Sequence, residues 1–209
     1  MSDKKTEHPL KVGILGGTFN PIHIGHLILA EQARSEFNLD QVLIMPSGIS
    51  YFKSDINVLP AETRYEMVKA ACKDNPCFKA SDFEIKRAGN TYTSETLRDL
   101  TIENPDIHYY FIIGADTLLQ MDTWYKPEIL FSSCTILCAV RDKITSEELE
   151  SKKAEYIDRF NADIEFLHTT DLEISSKMLR HMVAEGRSIR YYVTDEVLRY
   201  INEHDLYRE

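Results

Sequence analysis

Apolar residues fall into two alternating patterns along this chain. Short continuous runs, Val12–Leu15, Gln41–Met45, Phe78–Ile85, Ile107–Ile113, Thr135–Val140 and Ile164–Leu167, read as buried strands. Between them, apolar residues recur every three or four positions. The first such stretch, from about Ile22 to Phe37, places Ile24, Leu27, Ile28, Ala30, Ala33 and Phe37 on one helical face. Asn20 is expected to cap it, with Pro21 as its first helical residue. Further helices are predicted from Pro60 to about Lys73, from a cap at Thr93 or Ser94 through Thr101, from Ser175 or Ser176 to Gly186, and from Thr194 through Glu203. Thr145-Ser-Glu-Glu148 has the spacing of a capping box before a charged surface helix. Such alternation predicts an α/β fold, a mostly parallel sheet flanked by helices. Residues 1–209 read as one domain, with 1–9 as a flexible extension.

In such sheets ligands bind beyond the C-terminal strand ends, near the point where strand order reverses. Gly16–His26, Pro46–Lys53, Gly114–Asp116 and the run into Ser175 all belong at that edge. Far apart in sequence, they are expected to converge on one site.

Composition narrows the partners. The chain carries 24 Lys and Arg against 34 Asp and Glu, a net charge of −10, with no basic stripe. That balance argues against a polynucleotide partner. Small anions are not excluded, because helix N-termini and a few local cations can hold them. Cys134 and Cys138, four apart in a strand-like run, would lie about 13 Å apart, too far to share one zinc. With Cys72 and Cys77 they read as free thiols. No run approaches membrane-spanning length and the N-terminus has no apolar signal region, so the expected location is the cytoplasm, away from membranes.

Candidate chemistry concentrates in Gly16-Gly-Thr-Phe-Asn-Pro-Ile-His-Ile-Gly-His26. A glycine turn, the free N–H groups of a helix start and two imidazoles three residues apart together make an anion site, most simply for phosphate. This string resembles the first signature of the nucleotidylyltransferase superfamily, and its GGTFNPIHxGH form resembles the bacterial nicotinate-nucleotide adenylyltransferases. Ile174-Ser-Ser-Lys-Met-Leu-Arg180 is similar to that family's second signature, with Lys177 where a threonine is usual. The likeness extends from about Lys11 to Tyr207. It implies a Rossmann-like nucleotidylyltransferase fold and transfer of the adenylyl group of ATP to nicotinate mononucleotide, with magnesium carried on the ATP phosphates. It assigns Gly16, Gly17, Thr18, Phe19, His23, His26, Asp116, Ser175, Ser176 and Arg180 to ATP, Asp116 through the ribose hydroxyls. The reaction falls to His23, His26, Lys53 and Arg180.

Asn20, Lys53, Tyr92, Thr93, Trp124 and Tyr125 are expected on the mononucleotide side. Lys53 keeps the family's lysine although Phe52 replaces the usual histidine. Thr91-Tyr-Thr-Ser-Glu-Thr-Leu97, at a helix start, offers N–H groups to a carboxylate, and Trp124 offers a flat face to a pyridinium ring. Arg190 and Tyr192 stay unassigned, and no metal-ligand cluster appears. Three alternatives remain open here: transfer to nicotinamide mononucleotide or phosphopantetheine, a nucleotide-sensing module without turnover, and a detached aminoacyl-tRNA synthetase core. Oligomeric state is not legible.

Overall fold

The computed structural model describes residues 9–48, 58–87, 89–140, 146–170 and 172–208. Six strands, β1 (Leu10–Gly17), β2 (Gln41–Pro46), β3 (Phe78–Ala80), β4 (Ile107–Gly114), β5 (Thr135–Val140) and β6 (Asp163–His168), form one sheet in the order β3-β2-β1-β4-β5-β6. Every neighbouring pair is parallel. Strand order reverses between β1 and β4, where Leu15 lies opposite Ile112. That reversal opens a crevice directly beyond Gly17.

Side chains alternate across the pleat, so each strand feeds two cores. Val12 and Ile14 of β1, with Tyr109, Phe111 and Ile113 of β4, face one side. There they meet α4 (Thr93–Glu103), α5 (Ala115–Leu118), α6 (Pro127–Ser133) and α7 (Ser146–Phe160). Leu15 and Ile112 face the other side, against α1 (Ile24–Glu36), α2 (Ala61–Cys72), α8 (Ser176–Ala184) and α9 (Asp195–Glu203). The layers are closed by side chains such as Ile44, Leu97, Leu137 and Leu179, all fully buried, each contributing about 1.5–3 kcal/mol relative to exposure.

Local corrections to the sequence expectations have physical causes. Helix α1 starts at Ile24 with His23 as its N-cap, two residues later than expected. Asn20 does not cap it: the Asn20–Pro21 bond is cis, and Asn20 Oδ1 accepts hydrogen bonds from Leu59 N and the Tyr207 hydroxyl. Only Ala30 and Ala33 of α1 are buried, while Ile28 and Leu29 line a cavity. The strand expected over Phe78–Ile85 ends at Ala80, opposite Ile44, and Phe83–Lys86 form a short helix, α3. Tyr92, not Thr93 or Ser94, is the N-cap of α4, and it supplies no side-chain cap. Ser94 instead donates to Tyr125 O at 2.7 Å.

Ser175 and Thr194 cap α8 and α9 as expected, accepting from Met178 N and Val197 N. The short helices α5 and α6 and the 3-10 turn Met121–Thr123 had no pattern long enough to read. Lys53, Phe52, the capping residue Thr145 and residues 1–8 of the expected extension lie outside the described residues. All four cysteines are free. Among the described residues no helix is long and apolar enough to cross a membrane.

Candidate active site

Beyond the C-terminal strand ends lie two cavities that share Thr18 as a common wall. The first, about 530 Å³, is lined by His23, His26, Ser175, Ser176, Lys177 and Arg180, and runs on past Gly114, Ala139 and Thr170. The second, about 370 Å³, is lined by Gly16, Gly17, Glu84, Thr93 and Trp124 among others.

The turn between β1 and α1 sets the imidazoles. Phe19 has a left-handed backbone (φ 49°), and its ring fills the space beside Gly17, where a Cβ would come within 2.9 Å of it. Phe19 is thus core, with its ring edge-on to His26 at 5.0 Å. His23 and His26 stack with centroids 3.6 Å apart. Gly25 allows this, since a Cβ there would approach the His23 ring to 3.1 Å. His23 N donates to His26 Nδ1 at 3.2 Å, so the neutral His26 ring carries its proton on Nε2. The ring fixed this way lines the first cavity.

The second signature is joined directly to the first. Ser176 Oγ donates to Pro21 O at 2.7 Å and Arg180 Nη1 to Asn20 O at 2.8 Å. Ser175 and Lys177 are exposed at the start of α8, which adds its N-terminal partial charge to the cavity. Taken together, the lining is cationic and rich in donors, as an anion of several phosphates requires.

On the other side, Trp124 follows the 3-10 turn and lines the second cavity with Thr93, the first residue of α4. The expected partners Tyr92 and Tyr125 pack against each other, tilted, with ring centroids 4.3 Å apart, and do not line this cavity. Asn20, expected on the mononucleotide side, lines the first cavity, while Gly16 and Gly17, expected on the ATP side, line the second. Asp116 is exposed at the start of α5 and lines neither. Among the described residues there is no cluster of His, Cys, Asp and Glu able to hold a metal ion.

Three residues were missed by sequence reasoning. Arg64, on α2, is buried and donates to Thr18 O and Ser47 O, both at 2.7 Å. Tyr207, at the far end of the family-like stretch, reaches Asn20 Oδ1 at 2.9 Å. Burial raises the pKa of its hydroxyl, against the pull of Arg180 and Arg64. Glu84, on α3, accepts from Thr96 Oγ1 at 3.0 Å, and burial raises its pKa against the hydrogen bonds it receives. None of the three has a local sequence signal, because each acts across the fold.

A parallel sheet with a phosphate-type turn at its reversal point, met by two cavities, defines the nucleotidylyltransferase class, and residues 14–182 match the model of the cytidylyltransferase-like family. Relatives narrow this. A protein of Lachnoclostridium phytofermentans named probable nicotinate-nucleotide adenylyltransferase is 43% identical over 94% of this chain and 98% of its own. One of Geobacter metallireducens with the same name is 38% identical over 95% and 98%. The chain belongs to the nicotinate-nucleotide adenylyltransferase family. A solved structure of Plasmodium falciparum nicotinic acid mononucleotide adenylyltransferase complexed with APC has the same fold, with TM-score 0.76 at 18% identity over 96% of this chain and 98% of that one. The same enzyme complexed with NaAD gives 0.75, covering 95% and 97%.

Proposed function

We propose that this protein transfers the adenylyl group of ATP to nicotinate mononucleotide, giving nicotinate adenine dinucleotide and pyrophosphate. The observation that carries it is the pair of cavities meeting at Thr18, one cationic and one carrying an aromatic face beside an uncapped helix start. ATP occupies the first cavity, its phosphates on His23, His26, Ser175, Ser176 and Arg180 and its base toward Gly114 and Ala139. The mononucleotide occupies the second, its ring on Trp124 and its carboxylate toward the first N–H groups of α4. The two phosphate groups then meet beside Thr18.

An oxygen of the mononucleotide phosphate attacks the α-phosphorus of ATP, and the bond from that phosphorus to the bridging oxygen breaks, releasing pyrophosphate. The attacking phosphate is already an anion, so no general base is needed, and the protein contributes alignment and charge stabilisation. His26 Nε2–H donates to a phosphate oxygen whose charge grows during transfer, and Arg180 holds the leaving phosphates with its planar fork. Lys53 completes the cation set by resemblance. Magnesium would arrive with ATP and would neutralise part of its phosphate charge. Both substrates are small molecules, and no nucleic acid or membrane takes part.

The alternative acceptor is nicotinamide mononucleotide. A carboxylate accepts from the α4 N–H groups with full charge, whereas an amide turns a donor toward donors. Pyrophosphate release should therefore give a kcat/KM for the acid at least about tenfold above that for the amide, roughly 1.4 kcal/mol. Equal values would remove the acid assignment, and no release with either compound would remove the adenylyl transfer.

A further inference from the structure

Arg64 is 2% exposed, and its guanidinium donates to main-chain carbonyls. Nε donates to Leu59 O at 3.0 Å, Nη1 to Thr18 O at 2.7 Å, and Nη2 to Ser47 O at 2.7 Å and Gly48 O at 3.3 Å. These acceptors come from three separate segments: the turn after β1, the end of β2 and the approach to α2. One planar group thus fixes their mutual positions.

The hydrogen bonds are satisfied, but the described residues supply no matching charge. Carbonyls are neutral, and among the described residues no carboxylate pairs with Arg64. Glu62 favours its charge only from an exposed position on α2, where water screens it, and Arg180 is a second cation acting on the same Tyr207 hydroxyl. A buried guanidinium without a counter-ion is unfavourable, and arginine cannot relieve this by losing its proton. The carbonyl that Nη1 holds belongs to Thr18, the wall shared by both cavities. An anion bound at that wall would meet the buried charge through the Thr18 turn that Arg64 holds.

We infer that Arg64 is a positioning residue of the transfer site and that the phosphates of bound substrate are the counter-charge to its buried guanidinium. The shape of the turn at Thr18 and the occupancy of the phosphate site are then coupled through one side chain. This rests on the adenylyl-transfer reading in taking the anion to be a phosphate chain.

The test compares pyrophosphate binding to the wild type, Arg64→Lys and Arg64→Gln by calorimetry, with thermal melts and steady-state kinetics alongside. Both variants lose the four-carbonyl fork and should melt lower. Only Arg64→Gln loses the charge, so its pyrophosphate affinity should fall by on the order of tenfold, while Arg64→Lys stays within about threefold of wild type. A merely structural role would move the melts and leave the two affinities alike, and that result, or a wild type that does not bind pyrophosphate, overturns the proposal. If Arg64→Gln does not fold, Arg64→Lys decides. It should keep its pyrophosphate affinity and lose kcat by at least about tenfold, since an ammonium cannot span four carbonyls. Lost affinity or unchanged kcat is the contrary result. Wild-type turnover with ATP and each mononucleotide tests the parent reading separately, because pyrophosphate binding is measured without it.

Discussion

His26 illustrates how a single side chain acquires a role from its neighbours. Its Nδ1 is committed to His23 N, its ring is bracketed by the His23 face and the Phe19 edge, and the residue lines the first cavity. Substituting alanine should lower kcat by about 10²–10³ with a much smaller change in ATP affinity, because the interaction strengthens only as charge develops. A near-native kcat in steady-state assay would make His26 a packing residue. Gly25 gives a subtler case. Alanine adds up to about 1 kcal/mol of helix propensity, yet its methyl meets the His23 ring at 3.1 Å and forces it to shift by a few tenths of an ångström. Gly25→Ala should therefore melt no lower than wild type while turning over at least about tenfold more slowly, given how steeply rate depends on alignment. A variant as active as wild type would mean the stacked histidine pair tolerates displacement.

At the level of elements, the support behind Trp124 is a buried tyrosine on another helix. Tyr156 on α7 is fully buried, donates to Asp122 Oδ1 at 2.9 Å or Leu118 O at 3.0 Å, and accepts from Asp122 N at 3.2 Å. It thereby holds the turn that leads into Trp124. Tyr156→Phe should strand these polar groups at a cost of about 1–3 kcal/mol, raise the KM for mononucleotide and leave that for ATP unchanged. Trp124 is the sole tryptophan, so its fluorescence reports the loosening directly. An unaltered spectrum and KM would show that the turn stands without Tyr156.

Glu84 gives a pH signature. Burial lifts its folded pKa above the ordinary glutamate value, so the folded state keeps this proton to higher pH than the unfolded chain. Its favourable contribution is present in acid and lost as pH rises through the folded pKa. Urea melts should show the wild type losing stability relative to Glu84→Gln as pH rises from the ordinary glutamate value through the raised one, then levelling off. The opposite slope would mean the hydrogen bonds from Thr96, Thr91 and Gly48 outweigh burial.

Elements also mark the limit of what the chain reveals. Continuous apolar runs located all six strands, and the period-3.6 pattern with its cap signals located the long helices, because each packs apolar residues into a layer against the sheet. The two signatures were legible because a phosphate site needs glycine, histidine and hydroxyl groups at fixed local spacing. Arg64 was not legible, since an arginine on an amphipathic helix looks the same whether its fork meets water or four carbonyls. Asn20 looked like a cap because Asn-Pro before a helix is a strong local signal, whereas Tyr207 and Leu59, distant in sequence, give its side chain other partners. The strand from Phe78 ran too long on paper because β2, its pairing partner, is not visible as a limit from β3 itself.

The whole molecule is a three-layer body whose sheet shields its thiols. Cys72, Cys134 and Cys138 are pushed up to about 12 by burial. At pH 8 such thiols are ionised to only about one part in 10⁴, so the native protein should give a disulfide-exchange reagent at most the half-buried Cys77. All four should react after denaturation. Rapid reaction of more than one native thiol would show that the layers open readily. The binding site has a different relation to the whole. The hydrogen bonds that complete it join Pro21 to Ser176, Asn20 to Arg180 and Asn20 to Tyr207, spanning 155, 160 and 187 positions of chain. Closing loops of that length is entropically slow, and nothing local rewards it until β1 has met β4. The expected order of assembly puts sheet and helices first and the joining of the two signatures last. A chain refolding from denaturant will regain its far-ultraviolet dichroism before it regains turnover, so catalysis serves as the clock for the final step of folding.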